Sequence, residues 1–161
     1  MTATCYPVLH IDDDPTITRM VTSMLRKNGI EAAELNHAER ALDVLLKHDY
    51  RVVLLDIDMP EINGMDLLTQ IKRRDGGVNV IVLTGLVSQA TALMAMRRGA
   101  LACLFKPIVS IKPLLGAIQV AFDNTNRWRE TLQQLSDIKR QVSEVGRREP
   151  TTIECRSDST I

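Results

Sequence analysis

Residues 51–60 read Arg51-Val52-Val53-Leu54-Leu55-Asp56-Ile57-Asp58-Met59-Pro60. An apolar run of strand length, without helical periodicity, stops abruptly at acidic residues. A run apolar on both alternating positions is buried on both faces, as in a parallel sheet covered by helices. Two further runs have this character, at residues 8–11 (Val8-Leu9-His10-Ile11) and 79–83 (Asn79-Val80-Ile81-Val82-Leu83). Weaker strand signals lie at 30–35 and 101–105.

Between the runs, apolar residues recur at helical spacing: Ile17, Met20, Val21, Met24 and Leu25, then Ala38, Ala41, Leu42, Leu45 and Leu46. The first helix has Asp14 as its N-cap, Pro15 at its first position and Asn28-Gly29 as a stop. A last helix is expected from about Ile108. Five strands alternating with five helices predict a doubly wound α/β sheet. Such sheets bind ligands beyond the carboxyl ends of their strands.

Those ends are polar here: Asp12-Asp13-Asp14 after strand one, Asp56-Ile57-Asp58 after strand three, Thr84-Gly85 after strand four and Lys106-Pro107 after strand five. Carboxylates from Asp12, Asp13 and Asp56 gathered at one edge repel unless a cation compensates. Mg2+ suits such a site, because it takes one or two carboxylates, a carbonyl and waters and shares a phosphate oxygen. A carboxylate can also attack phosphorus, with metal and ammonium neutralising the phosphoryl oxygens. Asp56 is the candidate nucleophile, Lys106 the cation and Thr84 a hydroxyl donor. One hydrogen bond to a charged group contributes about 1.5–3 kcal/mol, whereas inverting a two-state population from 1:99 to 99:1 takes about 5.5 kcal/mol. Thr84 alone is insufficient as a switch; Thr84, Lys106 and backbone donors together could supply it.

These residues resemble the response-regulator receiver domain: an acidic pair after strand one, the run Leu55-Asp56-Ile57-Asp58-Met59-Pro60-Glu61-Ile62-Asn63-Gly64, then Thr84, then Lys106-Pro107. The resemblance spans about residues 6–122. It implies a flavodoxin-like five-stranded parallel sheet of order 2-1-3-4-5, for which a chemotaxis receiver is a known example. It further implies phosphorylation of Asp56, Mg2+ held by Asp12, Asp13, Asp56 and the backbone carbonyl of Asp58, and a cis peptide at Lys106-Pro107. The implied protein is a phosphoacceptor switch, not a turnover enzyme, that assists its own phosphoryl transfer and slow dephosphorylation. Its implied partners are a histidine kinase or histidine phosphotransfer protein and a downstream protein target. Three residues before the lysine, receivers usually carry Tyr or Phe; this chain has Cys103. The usual coupling of threonine to an aromatic ring is expected to be weakened, with Gly85 to Ser88 carrying more of the change. Leu86 is apolar at a position facing the attacking water, which points to a long phosphoryl lifetime.

A rival reading takes Asp56 and Asp58 as the nucleophile and acid of a phosphatase resembling the haloacid dehalogenase superfamily. Chain order opposes it, because Pro60 replaces the Thr or Val of that motif and the metal-binding acids stand at the N-terminus. His10, His37 and His48 share no catalytic spacing and read as packed or solvated. Met20, Met24, Met94 and Met96 lie at helical spacing and read as core filler, and Cys103 reads as a small buried hydrophobe.

Beyond Asp123, Trp128, Leu132, Leu135, Ile138, Val142 and Val145 form one apolar helical stripe. The receiver is expected over 1–122 and an extended C-terminal helix over 123–145, with spacing compatible with a coiled coil and a homodimer. A flexible tail is expected over 146–161. The segment from 123 onward balances seven basic against seven acidic residues. At roughly 40 residues it is short for a nucleic-acid reader. The whole chain carries 20 basic and 20 acidic residues, so it offers no general field for nucleic acid or anionic lipid. No direct nucleic-acid contact is expected. The reading is a single-domain regulator, or the receiver and signalling helix of a longer one. The first residues lack a signal-peptide pattern and no apolar run reaches membrane-spanning length, so a cytoplasmic protein, of bacterial type, is expected. Cys5, Cys103 and Cys155 are too widely spaced for a zinc or redox motif and read as reduced thiols.

Overall fold

The computed structural model describes residues 6–145. The expected tail at 146–161, and Cys5 and Cys155, lie outside the described residues. The elements alternate: β1 (Val8–Ile11), α1 (Pro15–Lys27), β2 (Ala32–Leu35), a 3-10 turn (Ala38–Arg40) leading into α2 (Ala41–Lys47), β3 (Val52–Leu55), α3 (Gly64–Arg74), β4 (Asn79–Thr84), α4 (Gln89–Arg97), β5 (Ala102–Phe105) and α5 (Lys112–Val145). All five strands are parallel, in the order 2-1-3-4-5. This is the flavodoxin-like sheet that the resemblance implies.

β1 and β3 are buried at every residue, as their unbroken apolar runs require. Alternation sends Leu9, Ile11, Val53 and Leu55 into one core with α3, and Val8, Val52, Leu54, Ile81 and Leu83 into the other with α1 and α5. Each face of the sheet thus has its own hydrophobic layer.

Local signals fix the helices that carry the site. The Asp14 side chain accepts from the Thr16 N–H, Pro15 stands at the first position, and the helix stops at Asn28 before Gly29, whose φ of 77° suits glycine. Asn63 caps α3 by accepting from Met65 N–H at 3.0 Å. At Gly64 a Cβ would stand 2.4 Å from Ile57 Cα and 2.6 Å from the Asp56 carbonyl oxygen. The start of α3 can therefore lie against the Asp56-Ile57 backbone only with glycine there.

Three expectations change. The inner face of α1 is Thr18, Val21, Thr22 and Leu25, one position round from the stripe read in the sequence, so Met20 is exposed. Met94 and Met96 are exposed as well; α4 inserts only Ala95 deeply, and the core-filler reading of these methionines is wrong. The last helix starts at Lys112, four residues after Ile108. Ile108 and Ile111 pack against the core from the irregular segment before the helix, and Pro113 falls in the first turn, where its missing N–H leaves no bond unmade.

The compact body runs to Trp128, and the chain from Arg129 forms a separate unit. Within α5, Leu114, Ile118, Ala121 and Thr125 are buried, whereas Trp128, Leu132, Leu135, Ile138 and Val142 are exposed. No described helix is long and apolar enough to cross a membrane.

Candidate functional site

Register brings the polar strand ends together. Ile11 pairs with Leu55, and the Asp56 N–H donates to the Ile11 carbonyl at 2.9 Å, so Asp12 and Asp56 emerge side by side. Thr84 pairs with Phe105, and the Lys106 N–H donates to the Thr84 carbonyl at 2.8 Å. Lys106-Pro107 is a cis peptide.

The Lys106 ammonium bridges the two central carboxylates, at 2.5 Å from Asp12 Oδ2 and 3.0 Å from Asp56 Oδ2. The remaining oxygens accept main-chain donors, Asp12 Oδ1 from Asp14 N–H at 2.9 Å and Asp56 Oδ1 from Asp58 N–H at 3.0 Å. Asp12 and Asp56 are buried and Asp13 is exposed. Burial pushes the Asp12 carboxyl above the usual range, and its hydrogen bonds from Lys106 and Asp14 only partly oppose this. Asp13 is raised too, first by burial and then by its neighbours Asp12 and Asp56. For Lys106, burial pulls downward, but Asp12 and Asp56 outweigh it and the ammonium ends above its ordinary value.

Oxygen atoms of Asp12, Asp13 and Asp56 lie within 4.8 Å of one another. Three hard anionic donors at that separation, with a single lysine shared by two of them, suit a small divalent cation. The same arrangement presents a carboxylate with a cation beside it, which is what nucleophilic attack on phosphorus needs.

Thr84 is fully buried at the neighbouring strand end. Its Oγ1 accepts from Leu86 N–H at 3.0 Å, leaving the hydroxyl proton to be donated elsewhere. Cys103 lies within β5, half-buried against the core; burial raises its thiol pKa, so it is a neutral thiol. Asp58 contributes its backbone at the site while its side chain is exposed. His37 and His48 are exposed.

Asn36 escaped the sequence reading, and so did the surroundings of His10, which reads from sequence as packed or solvated. The Asn36 amide donates to the Asp12 carbonyl at 2.8 Å and contacts Thr18 Oγ1 at 3.0 Å, tying the acidic turn to α1. Asn36 directly follows β2, so inspecting that weaker strand end as closely as the others would have found it. His10 is fully buried beneath the site, with neither ring nitrogen hydrogen-bonded. Its signal was a polar residue inside an apolar strand.

Comparison with known proteins agrees with this geometry. A family model described as the response regulator receiver domain matches residues 8–119. The C4-dicarboxylate transport transcriptional regulatory protein DctD of Pseudomonas aeruginosa is 39% identical over 117 residues, covering 72% of this chain and 25% of that protein. The chain thus spans a quarter of that relative's length. Among solved structures, a receiver domain protein from Clostridium thermocellum matches with 32% identity and a TM-score of 0.69, covering 78% of this chain and 98% of the other. The beryllofluoride-activated NtrC4 receiver domain dimer matches with 30% identity and a TM-score of 0.69, covering 74% and 98%. The phosphatase alternative is not supported by these findings: the family match and the sheet order are those of receivers.

Proposed function

The chain belongs to the response-regulator receiver family, and from that membership we propose that Asp56 accepts one phosphoryl group and thereby switches the protein's contacts with other proteins. The observation that carries this reading is the Lys106 ammonium shared by Asp12 and Asp56, beside the exposed Asp13. An Asp56 carboxylate oxygen attacks the phosphorus of a phosphohistidine on a histidine kinase or histidine phosphotransfer protein; the P–N bond breaks and the departing imidazole takes up a proton. Asp12, Asp13, Asp56 and the Asp58 carbonyl are the residues that would hold Mg2+. When bound, the ion neutralises charge on the phosphoryl oxygens. Lys106 turns to a phosphoryl oxygen, and the Thr84 hydroxyl proton is directed to another.

The reading makes the chain a switch and not a turnover catalyst, with slow hydrolysis of the aspartyl phosphate returning it to rest. Leu86, two residues past Thr84 and partly exposed, brings no proton acceptor to an attacking water. The output is contact with a downstream protein, without direct nucleic-acid binding by these residues, and the location is the cytoplasm. The extended helix adds a homodimer contact: Trp128, Leu132, Leu135, Ile138 and Val142 are exposed and recur every three or four residues, a spacing compatible with a coiled coil. The NtrC4 receiver domain, one of the structural neighbours, is itself described as a dimer.

Small phosphate donors test the reading. With Mg2+ and an acyl phosphate, one phosphoryl group per chain should be taken up and held, while a small phosphoester in excess should remain intact. Repeated turnover of the phosphoester would overturn the proposal.

A further inference from the structure

His10 occupies the middle of β1, between Glu34 of β2 and Leu54 of β3 in register. It is fully buried, and both ring nitrogens lack a hydrogen-bond partner. A buried polar group without a partner costs roughly 1–3 kcal/mol. An aliphatic side chain, such as those that fill the rest of β1, would avoid this. An orphaned group of this kind therefore calls for an explanation.

Its surroundings supply one. Nε2 lies 3.9 Å from Asp12 Oδ2, the oxygen that Lys106 contacts at 2.5 Å. The other Asp12 oxygen is already engaged by the Asp14 N–H. Because a carboxylate only accepts, a nitrogen facing Asp12 interacts favourably when it is the one that donates.

We propose that His10 is a positioning residue that holds an Nε2–H in reserve for Asp12. This rests on the function proposed above: when Lys106 leaves Asp12 Oδ2 for a phosphoryl oxygen, that buried carboxylate oxygen, while available to Mg2+ through one lone pair, loses the hydrogen-bond donor of its other. His10 replaces it by closing a gap of about 1 Å to ordinary hydrogen-bond length. Asp12 stays oriented towards the site, and no proton changes owner. The ring serves as a second donor used in one state of the switch and idle in the other.

The ring nitrogens report this directly by nuclear magnetic resonance. In the metal-free native chain His10 should be the Nε2–H tautomer. Adding Mg2+ and beryllofluoride, a phosphoryl mimic, should move that proton downfield and slow its exchange with water. Two variants separate donation from packing. His10→Gln places an amide N–H near the Nε2 position and should bind beryllofluoride with Mg2+ as the native chain does. His10→Met fills similar space without a donor and should bind roughly tenfold or more weakly, the effect of losing a hydrogen bond to a charged group. An Nδ1–H tautomer in the metal-free chain would overturn the proposal, as would equal beryllofluoride affinity in the His10→Met and native proteins. Failure of the native chain to bind beryllofluoride would instead overturn the functional reading on which the role of His10 depends. Because the tautomer is read without metal, it tests His10 even then.

Discussion

The ammonium of Lys106 stands 3.0 Å from Asp56 Oδ2 while also contacting Asp12 Oδ2, so one cation neutralises two carboxylates that are almost wholly buried. Removing it leaves both uncompensated. Breaking a buried ion pair from one side costs about 3–5 kcal/mol. Lys106→Ala should accordingly lower stability to denaturant by about 3 kcal/mol in chelator, with much of the loss recovered in Mg2+. Equal losses in the two conditions would show that the acidic cluster does not hold the ion.

Gly64 and Asp56 are coupled through the backbone. A methyl group at position 64 would fall 2.4 Å from Ile57 Cα and 2.6 Å from the Asp56 carbonyl oxygen, a clash relieved only by moving α3 or the residue that carries the nucleophile. Gly64→Ala is expected to destabilise the fold by roughly 1–3 kcal/mol, the usual cost of overpacking. It should also slow phosphoryl uptake under conditions where the variant is fully folded. Native uptake kinetics in the folded variant would show that the strand end tolerates the shift.

Much of this site was legible because its chemistry is written where strands stop. Asp12, Asp56, Thr84 and Lys106 each follow an apolar run, and a parallel sheet must bring such ends to one edge. The cap at Asp14 and the stop at Asn28-Gly29 were equally local. What escaped depended on helix orientation or pairing. The burial of Thr18 and Thr22 in place of Met20 is a rotation of α1 by one position, which periodicity resolves poorly. The idle nitrogens of His10 follow from what surrounds them in three dimensions, and no spacing rule reports that.

Cys103 stands at the position where receivers usually place an aromatic ring, half-buried against the core, while Gly85 to Ser88 are all exposed. We expect the response to phosphorylation to be concentrated in that exposed segment, with weakened coupling to β5. Cys103→Tyr should then enlarge the phosphorylation-induced spectral changes around β5 and alter partner affinity. Identical spectra and affinity in the two proteins would show that position 103 takes no part in the switch.

Leu132 and Leu135 are about half exposed on the extended helix. Replacing both by glutamate should change the stability of the folded chain by no more than about 0.5 kcal/mol per site, as for surface positions, and should abolish a helix-driven dimer. Light scattering should give a dimer mass for the intact chain and a monomer mass for the double variant. A monomer in both would dismiss dimerisation through α5. Substitution is preferable to truncation at Asp123, because Thr125 is buried and the compact body continues to Trp128.

The most direct test of the account is mass spectrometry of the intact chain after incubation with Mg2+ and a small acyl phosphate, with Asp56→Asn in parallel. The account predicts a single added phosphoryl group on the native chain, located at Asp56, and none on the variant. Absence of the adduct on the native chain, or its persistence in Asp56→Asn, would contradict it.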